Sequence, residues 1–139
     1  MVNQANIRIL HVDDKPDFAE LTADFLKRED DRFAIETATS ASEGLEHLSQ
    51  EDFDCIISDY EMPGMCGIEF LETVRESHPG LPVILFTGEA SEEVASEAFS
   101  AAATDYLRKW AASERYEVLA DRIESAVATT RTAGRTALQ

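Results

Sequence analysis

Five short apolar runs recur along the chain, separated by longer stretches in which apolar residues return every three or four positions. The runs are Ile7–Val12, Phe33–Ala38, Cys55–Ser58, 82–86 and 105–107. Several of them are continuously apolar rather than alternating, which is typical of strands that are covered on both faces. The pattern therefore predicts five buried β-strands.

The stretches between the runs have helical spacing. Pro16 can open the first helix, because proline is tolerated at the first helical position, and Ser40 with Glu43 forms a capping-box pattern ahead of the second. The third helix is expected near Gly67–Ser77, the fourth at about 91–102 and the fifth from near Ser113. The apolar positions expected on the inner faces of these helices are Phe18, Leu21, Phe25, Leu26, Leu45, Leu48, Phe70, Leu71, Val74, Val94, Ala98, Phe99, Tyr116, Leu119, Ile123 and Val127.

Strand and helix thus alternate five times, which predicts an α/β fold with helices on both faces of a parallel sheet. We expect a three-layer, doubly wound (βα)5 domain of the flavodoxin-like type with the strand order 2-1-3-4-5. The second run ends near Thr39 without obvious chemistry, which suits an edge strand. Ligands of such sheets bind at the carboxyl ends of the strands.

Polar residues stand where four of the strands are expected to end. Asp13 and Asp14 follow the first run, Asp59 the third, Thr87 the fourth and Lys109 the fifth. Because the carboxyl ends of parallel strands meet at one edge of the sheet, these side chains should share a cleft. Singly, each has a structural explanation as a cap, a turn residue or a solvated charge, but the five together are hard to explain that way.

Three carboxylates in one cleft need a compensating cation, and Mg²⁺, a hard ion with oxygen ligands, is the natural candidate. A carboxylate beside Mg²⁺, a lysine and a threonine hydroxyl can attack a phosphoryl group, because the cations neutralise the oxygens that are transferred. The cleft therefore predicts an aspartyl phosphate. The histidines, His11, His47 and His78, are expected to be structural or exposed rather than catalytic.

Four segments carry a resemblance to a known family. They are ILHVDD (9–14), DCIISDYEMPGMCGIEFL (54–71), PVILFTGEAS (82–91) and ATDYLRKW (103–110). Over about residues 6–128 the chain resembles the response-regulator receiver domains of two-component signalling. Within that family it resembles the chemotaxis regulators. The resemblance implies that Asp59 is the phosphoacceptor of a phosphorelay, and that the chain assists its own phosphorylation without being an enzyme.

The same resemblance implies a role for each cleft residue. Mg²⁺ would be bound by Asp14, Asp59 and the backbone carbonyl of Glu61, with Asp13 acting through water. Thr87 and Lys109 would contact the phosphoryl oxygens, and Tyr106 would turn inward as Thr87 moves.

The resemblance also implies partners and exposes one departure. The phosphodonor would be a histidine kinase or a phosphotransfer domain, and a dimer could form through the fourth helix, fifth strand and fifth helix.

The family usually has proline after its cleft lysine, in a cis peptide bond, whereas residue 110 here is Trp. A cis bond before a non-proline residue costs about 2.5–4 kcal/mol, so this loop either holds a cis Lys109–Trp110 bond or has rearranged.

Composition narrows the classes of partner and location. The chain has 28 acidic and 12 basic residues and a formal net charge of -16, which repels nucleic acid and anionic membranes. The acid load, with Lys much rarer than Arg, resembles proteins of halophilic archaea. Cys55 and Cys66 are expected to be reduced thiols. No apolar stretch is long enough to span a membrane and no signal peptide pattern is present, so a cytoplasmic location is expected.

Several larger questions stay open at this point. Residues 1–128 are expected to form the receiver domain and 129–139 a tail or the start of a linker, because residues 125–139 contain no acid. The chain could be a receiver module of a larger sensor histidine kinase or signalling protein, or a freestanding regulator. An Asp-dependent phosphatase would need a DxDx[TV] pattern where this chain has DDKPD. A flavodoxin-like cofactor carrier would need a phosphate loop, which Asp13 and Asp14 would repel.

Overall fold

A parallel sheet of five strands forms the centre of the domain. The computed structural model describes residues 6–88, 91–109 and 114–137. The strands are β1 (Ile7–Val12), β2 (Phe33–Ala38), β3 (Cys55–Ser58), β4 (Val83–Thr87) and β5 (Asp105–Arg108). The helices are α1 (Pro16–Glu29), α2 (Ala41–Gln50), α3 (Gly67–Ser77), α4 (Glu92–Ser100) and α5 (Glu114–Ala137). The sheet order is β2-β1-β3-β4-β5 with every pair parallel, which confirms the predicted topology.

Alternate residues of the central strands feed two separate cores, one on each face of the sheet. On β1, Ile7 and Ile9 belong to one core, and Leu10 and Val12 to the other. The first core includes side chains of α1 and α5, namely Leu26, Tyr116, Leu119, Ile123 and Val127. The second includes side chains of α2, α3 and α4, namely Ala41, Leu48, Phe70, Leu71, Val74 and Ala98. The three-layer architecture is therefore confirmed.

Side-chain caps fix the starts of two helices. Ser40 Oγ accepts a hydrogen bond from the Glu43 amide at 3.1 Å, as the capping-box pattern predicts. The Glu43 carboxylate, however, accepts from the amide of Thr39 at 2.7 Å, one residue before the expected partner. Ser91 caps α4 by accepting from the amide of Val94. Local hydrogen bonds thus set both helix starts.

Two residues that we expected on the inner faces of helices are exposed. Leu21 is 43% exposed, because the buried stripe of α1 runs through Ala19, Thr22 and Leu26 and leaves Leu21 at its margin. Phe99 is 56% exposed, because Ala98 faces the sheet and the next residue points about 100° away around the helix. The placement of these two side chains in the core was wrong.

The two cysteines occupy different environments, and both are free thiols. Cys55 lies in β3 with no exposed surface, and burial raises the pKa of its thiol to about 12. Cys66 is half-buried and precedes the first residue of α3. Among the described helices, none is long and apolar enough to cross a membrane.

Candidate functional site

One ammonium group joins the carboxyl ends of three strands. Lys109 Nζ, just after β5, donates to Asp13 Oδ2 at 2.6 Å and to Asp59 Oδ2 at 3.1 Å. The side chains of both aspartates are almost wholly buried, whereas 13% of the Lys109 side chain is exposed. The ammonium therefore pairs with two carboxylates that water barely reaches, where charges interact strongly.

Backbone hydrogen bonds hold these residues in place by extending the sheet one position beyond its strands. The Asp13 amide donates to Ala38 O, the Asp59 amide to Val12 O, and the Lys109 amide to Thr87 O, at 2.8–2.9 Å. The strand register therefore determines where the three charged side chains begin.

The two buried carboxylates divide their oxygens in the same way. Asp13 Oδ1 accepts from the amide of Lys15 at 2.9 Å, and Asp59 Oδ1 accepts from the amide of Tyr60 at 2.8 Å. In each residue Oδ1 stabilises the following turn, which orients Oδ2 toward Lys109.

The loop between β3 and α3 is pinned closely against Asp59. The Gly67 amide donates to Tyr60 O at 2.7 Å, and a Cβ atom on Gly67 would lie 2.3 Å from Asp59 O. Gly64 adopts a φ of 86°, a left-handed conformation that glycine allows. This closed loop places Glu61 at the mouth of the cleft, where it lines two adjoining pockets.

The acidic residues of the cleft fit a divalent cation. Carboxylate oxygens of Asp13, Asp14 and Asp59 all lie within 4.8 Å of one another. Asp14 Oδ1 is buried and makes no hydrogen bond to any residue that the structure describes. Its ion-pair partner, Lys15 Nζ, is 3.7 Å away on a side chain that is 66% exposed. A carboxylate oxygen that accepts no hydrogen bond from a described residue and lies beside two other acids is what a hard cation such as Mg²⁺ would bind.

Thr87 and Tyr106 lie on the same face of the sheet. Thr87 ends β4, is 1% exposed and lines a pocket of about 260 Å³ together with Asp59 and Lys109. Tyr106 pairs in register with Leu85, two residues before Thr87, and its half-buried ring packs against the core that includes Leu85. Thr87 and Tyr106 therefore lie on adjacent strands, near the carboxyl end of the sheet. Trp110 and its peptide bond to Lys109 lie outside the described residues.

His11 lies against the cleft, a position that the sequence pattern did not predict. Its ring is fully buried, and Nε2 lies 3.8 Å from Asp13 Oδ2. Burial, aided by the nearby Lys109 ammonium, lowers the pKa of His11 to about 3, so the imidazole is neutral at ordinary pH. The available signal was a polar residue inside an apolar run two positions before Asp13.

Phe18 on α1 forms one wall of the cleft. Its ring lies 4.5 Å from Lys109 Nζ, within the range of a cation–π interaction. The same ring makes an edge contact with His11 at 6.5 Å between centroids and lies 5.9 Å from Phe86. Lys109 is therefore held between an aromatic face and two carboxylates.

Comparison with known proteins gives consistent results. A family model described as the response regulator receiver domain matches residues 9–121. Response regulator protein PilR of Pseudomonas aeruginosa is 32% identical over 102 residues, which cover 73% of this chain and 22% of PilR. Nitrogen assimilation regulatory protein NtrX of Azorhizobium caulinodans is 31% identical over 116 residues, 82% of this chain and 25% of NtrX. The chain thus spans a quarter or less of these curated relatives.

A solved structure extends the similarity to three dimensions. The CheY-like response regulator receiver domain protein from Methanospirillum hungatei superimposes with a TM-score of 0.83 at 29% sequence identity. The match covers 93% of this chain and 99% of that one. The similarity therefore extends over almost the whole of both chains.

Proposed function

The chain belongs to the response regulator receiver family, and we propose on that premise that it accepts a phosphoryl group on Asp59 from a histidine kinase or phosphotransfer domain. The observation that carries the proposal is the pairing of Lys109 with Asp13 and Asp59 beside a pocket of about 260 Å³. A phosphoryl group in this pocket would meet an ammonium already in position. Such preorganised charge is how proteins stabilise phosphoryl transfer.

Each cleft residue has a part in the proposed reaction. A carboxylate oxygen of Asp59 forms a bond to phosphorus while the bond from phosphorus to the donor's imidazole nitrogen breaks. Lys109 and Thr87 donate to the phosphoryl oxygens. Mg²⁺, held by Asp14, Asp59 and the backbone carbonyl of Glu61, with Asp13 acting through water, would neutralise the charge of the phosphoryl group.

Phosphoryl uptake can be measured directly by intact mass after incubation with Mg²⁺ and a small acyl phosphate. We expect the wild type to gain the mass of one phosphoryl group. Asp59→Asn should gain none, because the amide keeps the shape of the side chain but is not a nucleophile. Asp121→Asn, a change at an exposed position of α5, is the matched control and should behave as wild type. Equal mass gain in Asp59→Asn would refute the assignment.

The metal assignment has its own test. Asp14→Ala should abolish or strongly weaken Mg²⁺ binding, because the site would lose one of its two direct carboxylates. Calorimetric titration with Mg²⁺ measures this, and Asp121→Ala serves as the control. An unchanged titration in Asp14→Ala would place the ion elsewhere.

We propose further that phosphorylation is transmitted through Thr87 and Tyr106. A phosphoryl group on Asp59 favours the conformer that brings the Thr87 hydroxyl closer, and the vacated space admits the ring of Tyr106. Thr87→Ala should still take up phosphoryl but should show smaller changes in the amide resonances of Tyr106 and α4. Full wild-type changes in that variant would exclude this route.

We also propose that the chain acts as the receiver module of a larger signalling protein. The support is that it spans a quarter or less of PilR and NtrX. A freestanding regulator is the alternative, and the coding sequence that follows residue 139 distinguishes the two.

We propose that a dimer forms through α4, β5 and α5, which sedimentation with and without phosphorylation tests. Exposed Phe99 on α4 and Val118 on α5 are candidate contacts.

A further inference from the structure

The buried imidazole of His11 lies beneath the cleft. His11 occupies β1 between apolar neighbours and has no exposed surface. Among the described residues, no hydrogen-bond partner reaches either Nδ1 or Nε2 of its ring. A buried polar group without a partner destabilises a fold, and an apolar side chain would pack here without that cost. The presence of histidine therefore calls for a reason outside packing.

The position of the ring relative to Asp13 supplies one. Asp13 Oδ2 accepts from Lys109 Nζ at 2.6 Å and lies 3.8 Å from His11 Nε2. The same oxygen thus stands between an ammonium that holds it and an imidazole just beyond hydrogen-bond length. An imidazole carries a proton on at least one ring nitrogen, so Nε2 can act as a donor to this oxygen.

Phosphorylation would change the demand on Lys109. In the present structure its ammonium is shared between Asp13 and Asp59. A phosphoryl group on Asp59 adds anionic oxygens that are stronger partners for the ammonium. As Lys109 turns toward them, Asp13 loses part of its hydrogen bonding while its side chain stays fully buried. Even with the Lys15 amide and the proposed metal-bound water as donors, a buried carboxylate that loses an ammonium is stabilised by a further donor.

We propose that His11 is a positioning residue that donates from Nε2 to Asp13 Oδ2 when Lys109 engages the phosphoryl group. This inference rests on the proposed phosphorylation of Asp59. A small movement closes the 3.8 Å separation to a charge-assisted hydrogen bond. His11 would then stabilise the phosphorylated state selectively, at the expense of the unmodified one.

Two substitutions separate this role from packing. His11→Leu removes the partnerless polar group, so it should raise the melting temperature of the unmodified protein. The same variant should bind fluoroberyllate, a stable mimic of the phosphoryl group, about tenfold more weakly in the presence of Mg²⁺. His11→Gln can place an amide nitrogen near the position of Nε2 and should retain most of the affinity. His78→Leu is the control, since Nδ1 of His78 is also buried without a hydrogen bond from the described residues, but His78 follows α3, outside the cleft.

A measurement on the unaltered protein complements the variants. Nitrogen resonances of the His11 ring should show Nε2 as the protonated nitrogen and should shift on addition of fluoroberyllate with Mg²⁺, as a new hydrogen bond forms. Unchanged ring resonances would overturn the proposal, as would wild-type affinity in His11→Leu or equal losses in the Leu and Gln variants.

The same data distinguish this failure from that of the proposed function. If the wild type fails to bind fluoroberyllate, or binds it no better than Asp59→Asn, both proposals fall. If the wild type binds and Asp59→Asn does not, while His11→Leu behaves as wild type, only the role of His11 is lost.

Discussion

At the scale of single residues, the cleft depends on the different environments of three chemically identical side chains. Asp13 and Asp59 are buried and share Lys109, whereas the Asp14 side chain is 26% exposed and has an oxygen without a hydrogen bond from any described residue. The buried pair is compensated by an ammonium that belongs to the protein. Asp14 is the carboxylate best suited to an added cation.

Gly67 is the residue whose replacement should most directly disturb Asp59. A Cβ at this position would meet Asp59 O at 2.3 Å and Tyr60 Cα at 2.8 Å, and backbone atoms cannot rotate away. We expect Gly67→Ala to lower the free energy of unfolding by about 1–3 kcal/mol and to slow phosphoryl uptake. Urea unfolding and intact mass measure the two effects. Gly80→Ala is the control, because its Cβ would meet no described atom within 4 Å; equal effects in both variants would contradict the argument.

Residue positions in the cleft followed from the sequence to a large extent. A change from apolar to polar residues marks the ends of parallel strands, and the structure brings Asp13, Asp14, Asp59 and Lys109 together at those ends. Their chemical roles stay predictions. The environment of His11 could not be predicted, because strand periodicity does not reveal whether a buried imidazole has a hydrogen-bond partner.

At the scale of elements, the three strands β1, β2 and β3 have the predicted bounds, and the differences elsewhere have local causes. β4 begins at Val83 rather than at Pro82, since proline has no N–H to donate to the ladder. α4 is shorter than expected, because Ser91 caps its start and Ala102 leaves the helix with a left-handed φ of 69°. α5 continues to Ala137, through residues that we expected to form a tail.

The connection between α1 and β2 contains an ion pair that links three elements. Asp30 ends α1, and its carboxylate accepts from the Arg32 amide at 2.9 Å and from the Arg32 guanidinium at 2.7 Å. The guanidinium also lies 3.6 Å from Glu124 of α5. These hydrogen bonds lower the pKa of Asp30 to about 2.

Asp30→Asn should therefore show a pH-dependent loss of stability. The pKa of Asp30 in the folded state lies below its ordinary value of 3.8, so the stabilisation is present at neutral pH and disappears as the pH falls toward 2. For this partly solvated pair we expect a loss of about 1 kcal/mol at pH 7. Urea unfolding from pH 7 to pH 2 measures it, with Asp24→Asn at an exposed position of α1 as the control. A difference that stays constant down to pH 2 would argue against the ion pair.

At the scale of the whole molecule, charge is the dominant feature. A formal net charge of -16 on 139 residues implies strong self-repulsion in the folded state at low ionic strength. The similarity to PilR, NtrX and the Methanospirillum protein does not bear on adaptation to salt, so the halophilic origin stays a prediction.

Added salt should stabilise the domain. We expect the melting temperature to rise with KCl into the molar range, because screening weakens repulsion among the 28 acids. A variant with Glu72, Glu76 and Glu117 changed to Gln, all at exposed positions, should show a smaller rise. A melting temperature that is flat or falls with KCl in the wild type would contradict the halophilic interpretation.

The two thiols differ in burial, so the rates at which they are labelled can report local unfolding of the domain. A thiol-specific reagent should modify half-buried Cys66 in the native state, but it can attack Cys55 only when β3 separates from its neighbours. The rate of the slow second labelling step, at Cys55, would then measure how often β3 becomes exposed to solvent. Fluoroberyllate bound beside Asp59, at the carboxyl end of β3, should slow the labelling of Cys55, because a ligand that binds the native state makes opening rarer.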